Sequence, residues 1–442
     1  MIEKQELPRR IGGVGAVMLG LGSILGTGVF VSIGIGSGVC GTNIIWAILI
    51  AGVVAICNGL SSAQLAAVHP VSGGTYEYGY RWLSPEMGFA AGWLFLCAKS
   101  ASAATAALGL SGYLAALGGQ SMIQGEGLSY TGNVLGGLLV LVCITVIVLI
   151  GIRRTVRINA VIVCLTLVSL TVLVVAGFLV KGDLRFVKAP EAVEIFSSGQ
   201  GSESWYSLLS AAALMFVAYT GYGRIATMGE EVVDPRRVIP RAMIITLALA
   251  MAVYVSVAWV GMATIGTVEL SDATGKWAAP LFRVAESTGM RWVVVLVSVG
   301  GITAMLGVML NLVLGLSRVV LAMARRSDLP ASLAVIDRRG VPFRATVVVT
   351  AVVGTLILIG DVKLAWSFSA TTVLIYYALT NLCAIRVEPA ERIFPAGFAW
   401  LGLIGCCGLV LFIPWKMLAA VTGLIALGMT VRWGRQSIVS DS

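Results

Sequence analysis

The sequence predicts an all-α integral membrane protein of twelve transmembrane helices, and three observations predict it. Hydrophobic residues make up 58% of the 442-residue chain and charged residues only 12%, against roughly 25% charged in soluble domains. The apolar residues come in runs of about 18 to 30, enough to cross a hydrocarbon core of about 30 Å. A backbone in lipid must bond within its own segment, so each run reads as a helix. The third observation is glycine: the first and sixth runs carry glycine clusters at mid-membrane depth.

In chain order the spans are 11–39, 43–67, 86–117, 134–152, 158–180, 205–228, 241–266, 292–324, 344–360, 365–386, 396–413 and 415–433. Spans 3 and 8 exceed what a bilayer needs and are read as tilted. Connections are short except 181–204 and 267–291, and within the latter Trp277 to Glu286 reads as a short amphipathic helix at the surface. The charged start and the length of the first run argue against a cleaved signal peptide. After span 2, Ser72-Gly73-Gly74 with Tyr76 and Tyr78 reads as a turn into a short interfacial helix.

Span 1 contains Gly20-Leu-Gly-Ser-Ile-Leu-Gly-Thr-Gly-Val-Phe30. Each glycine disfavours a helix by roughly 1 kcal/mol relative to alanine. A helix that breaks in lipid is tolerated where it lines a cavity, and its freed N–H and C=O groups then suit an anion and a cation. A zwitterion carries both. The N–H groups around Gly26, Thr27 and Gly28 would face a carboxylate, with the hydroxyls of Ser23 and Thr27 beside them. The carbonyls of Ser23 and Ile24 would suit an ammonium group. The plainer alternative is close helix packing, since Gly22 and Gly26 have small-xxx-small spacing.

Span 6 repeats the feature in Phe216-Val-Ala-Tyr-Thr-Gly-Tyr-Gly-Arg224, where carbonyls near Val217, Ala218 and Thr220 would serve the same ammonium. Spans 1 and 6 each lead a group of five. Five is odd, so the second group enters the membrane from the opposite side. The pattern is an inverted repeat, 11–180 and 205–386, with its site at the repeat interface and two extra helices over 396–433.

Lysines and arginines set the orientation. With the N-terminus inside, 19 fall inside, 8 outside and three in the membrane, accounting for all 30. Both termini are therefore expected in the cytoplasm. The net charge of +9 is scattered over span ends and reads as topology, not nucleic-acid binding. The eight cysteines lie in or beside apolar runs without CxxC spacing and read as packing residues. His69 is the single histidine, which argues against a histidine-based catalytic or metal site. No GxxxxGK loop for a nucleotide occurs. No metal or cofactor is expected.

Three motifs in order carry a resemblance: Gly-Ser-Ile-Leu-Gly-Thr-Gly-Val-Phe in span 1, Pro70-Val-Ser-Gly-Gly-Thr-Tyr-Glu-Tyr78, and Gly-Glu-Glu-Val-Val-Asp-Pro-Arg-Arg-Val-Ile-Pro240 after span 6. The chain resembles the amino acid–polyamine–organocation superfamily over its whole length, nearest to its bacterial cationic-amino-acid-transporter-like permeases. The resemblance implies a LeuT-like five-plus-five fold with broken helices 1 and 6, and amino acid transport by alternating access. It places Ser23, Ile24, Gly26, Thr27 and Gly28 at the substrate's α-carboxylate and α-amino groups. Val217, Ala218, Tyr219, Thr220 and Gly221 match the unwound part of span 6. The aromatic residue that often covers the substrate there is Tyr219, or is missing if the family's residue falls on Val217.

Two departures from that resemblance concern coupling and charge. Proton-coupled relatives often hold a lysine in span 5; aligned here, that position is Thr166 or Leu167, so the lysine mechanism is in doubt. Sodium-coupled relatives use hydroxyls of span 8; Thr303 is present but Ala304 follows it, so sodium is not supported and proton coupling stays open. The second departure is Lys99, Arg224 and Arg318 at membrane depth, where charge is costly and marks function by default. Lys99 is a coupling candidate, or else pairs with a carbonyl or reaches an aqueous vestibule. Arg224 either faces the pathway or pairs with Glu230 or Glu231, and Arg318 reads as structural or as a gate contact. Glu230 and Glu231, before Asp234-Pro-Arg-Arg, read as an inner-gate salt-bridge cluster or as a solvated loop.

The function that fits is a secondary transporter of amino acids, held in a lipid bilayer, with a bacterial inner membrane as the expected location. A polyamine carrier or an amino acid exchanger is the alternative within transporters. Lys99 and Arg224 argue for a neutral or acidic substrate, while the resemblance leans cationic. From another class, an amino acid sensor of the same fold lacks a soluble domain through which to signal. A membrane enzyme lacks a histidine or carboxylate cluster within its spans.

Overall fold

The computed structural model describes residues 11–71, 73–118, 130–150, 156–181, 201–227, 232–337 and 341–440. These segments are helical, with one isolated parallel bridge between Ile11 and Val232 and no strand among the described residues. Glu230, Glu231 and residues 182–200 of the long connection lie outside the described residues.

Each of the twelve expected spans coincides with helix, but nine helices among the described residues are long and apolar enough to cross a membrane. Three apolar helices are shorter: Gly13–Ile24, Phe343–Ile359 and Ala396–Val410. The first is short because span 1 stops midway. Phe343–Ile359 is confined between Pro342 and Gly360, which takes a left-handed conformation at φ 67° and ends the helix. Helix starts follow ordinary capping: Ser84 accepts from the Met87 N–H at 3.2 Å ahead of Pro85–Leu117, and Asp361 accepts from the Leu364 N–H at 3.0 Å ahead of Val362–Ile385.

Span 3, Pro85–Leu117, is the central column. Ala101, Ala103, Ala104, Ala106 and Ala107 are completely buried along it, and these small side chains let spans 8 and 10 close upon it. Span 11 lies outside, against spans 2 and 10.

Span 7 departs from its expected limits. The helix runs from Pro235 to Trp277, and its course changes at Gly266, φ 80° and ψ 169°. Only glycine takes that conformation at little cost, so the helix breaks there and a second helix leaves the kink in a new direction. The second part, and the helix Pro280–Glu286 after it, pack into the bundle. Thr274 and Leu281 are fully buried, and a methyl group on Gly34 or Gly112 would collide with Thr274 or with the Trp277 carbonyl. The expected surface helix at Trp277 to Glu286 is thus corrected: this segment is a lid seated on spans 1 and 3. Arg283 pins it through Glu269 at 2.6 Å and Glu286 at 2.9 Å.

At the other end, Gly74 at φ 58° turns the chain into Thr75–Trp82. Tyr76 and Tyr80 donate to one Asp328 carboxylate oxygen at 2.7 and 2.6 Å. Arg432 of span 12 reaches the other oxygen at 3.0 Å. Side-chain exposure is 4% for Arg432 and 2% for Asp328. Burial, and then the neighbouring carboxylate, push the Tyr76 and Tyr80 hydroxyls far above the usual tyrosine range, so both remain donors. Arg326 pairs with Glu77 and lies over the Tyr80 ring.

Candidate functional site

The span 1 helix ends at Ile24. Leu25 turns out at φ −79°, ψ 84°, Gly26 follows at φ −157°, ψ −120°, and a helix restarts at Thr27. The Gly26 N–H reaches only the Ile24 carbonyl at 3.0 Å, while the Gly26 carbonyl accepts from Val29 at 3.1 Å and Phe30 at 3.0 Å. The first N–H groups of the new helix, on Thr27 and Gly28, therefore lack an intrahelical acceptor. Ser23 spends its hydroxyl on the Leu19 carbonyl at 3.0 Å. The Thr27 hydroxyl is buried and makes no hydrogen bond.

Span 6 is not opened in this way. Its helix Gly201–Tyr219 tightens into a 3₁₀ turn, Thr220–Tyr222, and continues as Gly223–Thr227. Tyr219 and Gly223 on either side keep helical torsions. The expected unwinding of span 6 is corrected to this local narrowing. Its cause is side-chain competition: the Thr220 hydroxyl donates to the Val217 carbonyl at 2.8 Å, one of the groups an α-helix would use.

The two interruptions meet. A methyl on Gly221 would overlap the Ser23 carbonyl, and one on Gly28 would come within 3.0 Å of the Ala218 methyl. The backbones touch because neither glycine has a side chain. Tyr254 of span 7 lies beneath the contact, its hydroxyl 3.0 Å from the Ile24 carbonyl and 2.9 Å from the Ala218 carbonyl. Tyr377 of span 10 donates to the Thr220 carbonyl at 3.3 Å. The Ile24 carbonyl, which also accepts from the Gly26 N–H at 3.0 Å, is thus approached twice.

Lys99 comes to the same place. Its Nζ donates to the Thr220 hydroxyl at 3.0 Å. Arg224, half-buried, lies just beyond the turn. Arg318 is exposed, and its expected burial is corrected: it sits near the end of span 8, where a long side chain reaches the interface. Tyr219 turns away, its hydroxyl on the Ile48 carbonyl of span 2 at 3.1 Å. Thr166 and Thr303 bond back to their own helices, at Ile162 at 2.8 Å and Val299 at 2.8 Å.

Sequence reasoning missed Tyr254, Tyr377 and Asn159. Asn159, seven residues before Thr166, makes span 5's polar contact with span 1: its amide donates to the Met18 carbonyl at 2.7 Å, and it fills the space opposite Gly22. The signal was available, since a polar side chain inside an apolar run must find a partner. Separately, a cavity of about 470 Å³ opens at the start of span 1, between Gly13, Val17, Arg237 and Arg241.

The long apolar helices define a polytopic helical membrane protein, and its relatives are transporters and permeases, not enzymes. The amino acid permease family model matches residues 15–437, and the chain belongs to that family. It is 37% identical over 438 residues to an uncharacterized transporter of Mycobacterium tuberculosis, covering 98% of this chain and 92% of that one. It is 24% identical to the branched-chain amino acid permease BcaP of Bacillus subtilis, covering 97% and 93%. With the vacuolar cationic amino acid transporter 4 of Arabidopsis thaliana it shares 23% identity over 88% of this chain and 65% of the plant protein.

Proposed function

We propose that this permease is a secondary active transporter that carries α-amino acids by alternating access across twelve crossings arranged as two inverted five-helix repeats. The observation that carries the reading is the backbone contact between the interruptions of spans 1 and 6, with unclaimed N–H groups on one side and carbonyls on the other. The N–H groups of Thr27 and Gly28 and the Thr27 hydroxyl take the α-carboxylate, at the bend that Gly26 makes. The carbonyls of Ser23, Ile24, Val217, Ala218 and Thr220 take the α-amino group, Gly221 giving them access. Ala304 follows Thr303 in span 8, where a second hydroxyl would be wanted for sodium, and coupling to protons is favoured on that ground. The mycobacterial and Bacillus relatives and the excess of basic residues at one set of loops support a bacterial inner membrane with both termini in the cytoplasm.

The test is uptake of the twenty amino acids into proteoliposomes. Saturable uptake of at least one is expected, abolished when its carboxylate is amidated or its amine acetylated. Undiminished transport of either blocked form would overturn the backbone site.

A further inference from the structure

Lys99 is an ammonium at membrane depth whose hydrogen-bond partner is a hydroxyl, Thr220 Oγ1 at 3.0 Å. It has three donors. The neighbouring hydroxyls do not take the other two: Ser102 and Ser369 bond each other at 2.9 Å, and Ser369 also reaches the Ala98 carbonyl at 3.0 Å. Among the described residues no carboxylate stands within ion-pair distance of Lys99. The surrounding spans cannot supply one, because residues 13–40, 44–68, 87–117, 205–227, 291–325 and 362–385 contain no aspartate or glutamate.

From this we infer that Lys99 is a specificity-determining residue, and that the site takes amino acids with an anionic side chain. The inference rests on the amino acid transport proposed above. Main-chain groups would hold the α-carboxylate and α-amino groups of any amino acid alike, so side-chain choice must come from elsewhere. Thr220 is the residue before Gly221, where spans 1 and 6 touch. A second carboxylate entering there meets the two spare donors of Lys99 and neutralises a charge that the protein leaves unbalanced. A cationic side chain would instead face an ammonium with no counter-ion, in a low-dielectric site where like charges repel strongly. The resemblance to cationic carriers is thereby turned around.

The experiment is competition binding and uptake with the reconstituted full chain, using L-glutamate, L-aspartate, L-glutamine, L-leucine and L-arginine. Glutamate or aspartate should bind at least about tenfold more tightly than glutamine, with arginine weakest. Lys99→Met should bring glutamate and glutamine to parity, and Lys99→Arg should retain the preference. A wild-type preference for leucine, glutamine or arginine over both acidic amino acids would overturn the inference while leaving amino acid transport intact. An unchanged glutamate-to-glutamine ratio in Lys99→Met would overturn it as well. Binding of none of the amino acids would strike the transport reading itself. Should Lys99→Met fail to fold, the wild-type order and the Lys99→Arg variant decide the matter.

Discussion

In span 1 the helix stops at Ile24 and restarts at Thr27, whereas span 6 passes its glycines without leaving helical torsions. The first interruption leaves donors unclaimed, on Thr27, Gly28 and the Thr27 hydroxyl. The second has been claimed from outside: Lys99, Tyr254 and Tyr377, from spans 3, 7 and 10, each hold one of its oxygens. Two glycine-rich stretches of similar appearance thus do different work. Span 1 keeps donors open, and span 6 is braced by its neighbours. Moving span 6 means breaking polar contacts to three other helices, while the first half of span 1 is held by the Val233 N–H on the Ile11 carbonyl at 2.9 Å and by Asn159 on the Met18 carbonyl at 2.7 Å.

Four substitutions probe this asymmetry. The largest effect is expected for Gly221→Ala. Its methyl would collide with the Ser23 backbone, which cannot swing aside, so uptake should vanish and the unfolding temperature should fall by the equivalent of about 3 kcal/mol. Gly26→Ala should be milder, because its methyl meets the Val308 side chain at 2.6 Å. Uptake should drop, and Val308→Ala should restore much of it. If Val308→Ala rescued Gly221→Ala equally well, the distinction between the two sites would be lost. Thr220→Val deletes the hydroxyl between Lys99 and the Val217 carbonyl; it strips a charged group of its partner, so about 1.5–3 kcal/mol is expected, with a 3₁₀-to-α readjustment visible as altered hydrogen exchange at Gly221. Tyr254→Phe removes one hydroxyl from between two carbonyls and should cost about 1–2 kcal/mol, read as thermal stability in detergent.

Much of this architecture could be read from residues alone, and the failures have physical causes. Apolar run length located a helix at each expected span, nine of the described ones long and apolar enough to cross a membrane. Glycine density located the break at Leu25–Gly26. It over-read span 6, because glycine marks where a backbone is free to leave a helix, not whether it does. The outcome there depends on Thr220 bonding backward and on Lys99 and Tyr377 arriving from distant parts of the chain. The lid over spans 1 and 3 was hidden for a similar reason: the kink at Gly266 joins two helices of different direction, and composition does not give the new direction. Tyr254 was invisible because a tyrosine in an apolar helix reads as packing until its hydroxyl is seen to lie between two carbonyls.

Asp328 and Arg432 stand 104 residues apart, with spans 9 to 11 synthesised between them. Until span 12 emerges, the buried carboxylate has two tyrosine hydroxyls and lacks the Arg432 guanidinium. Span 12, translated well after Asp328, supplies the counter-ion for an acid placed long before. A polypeptide terminated after residue 413 would reach the membrane with that acid unbalanced, and clearance by membrane proteases is the outcome expected for it.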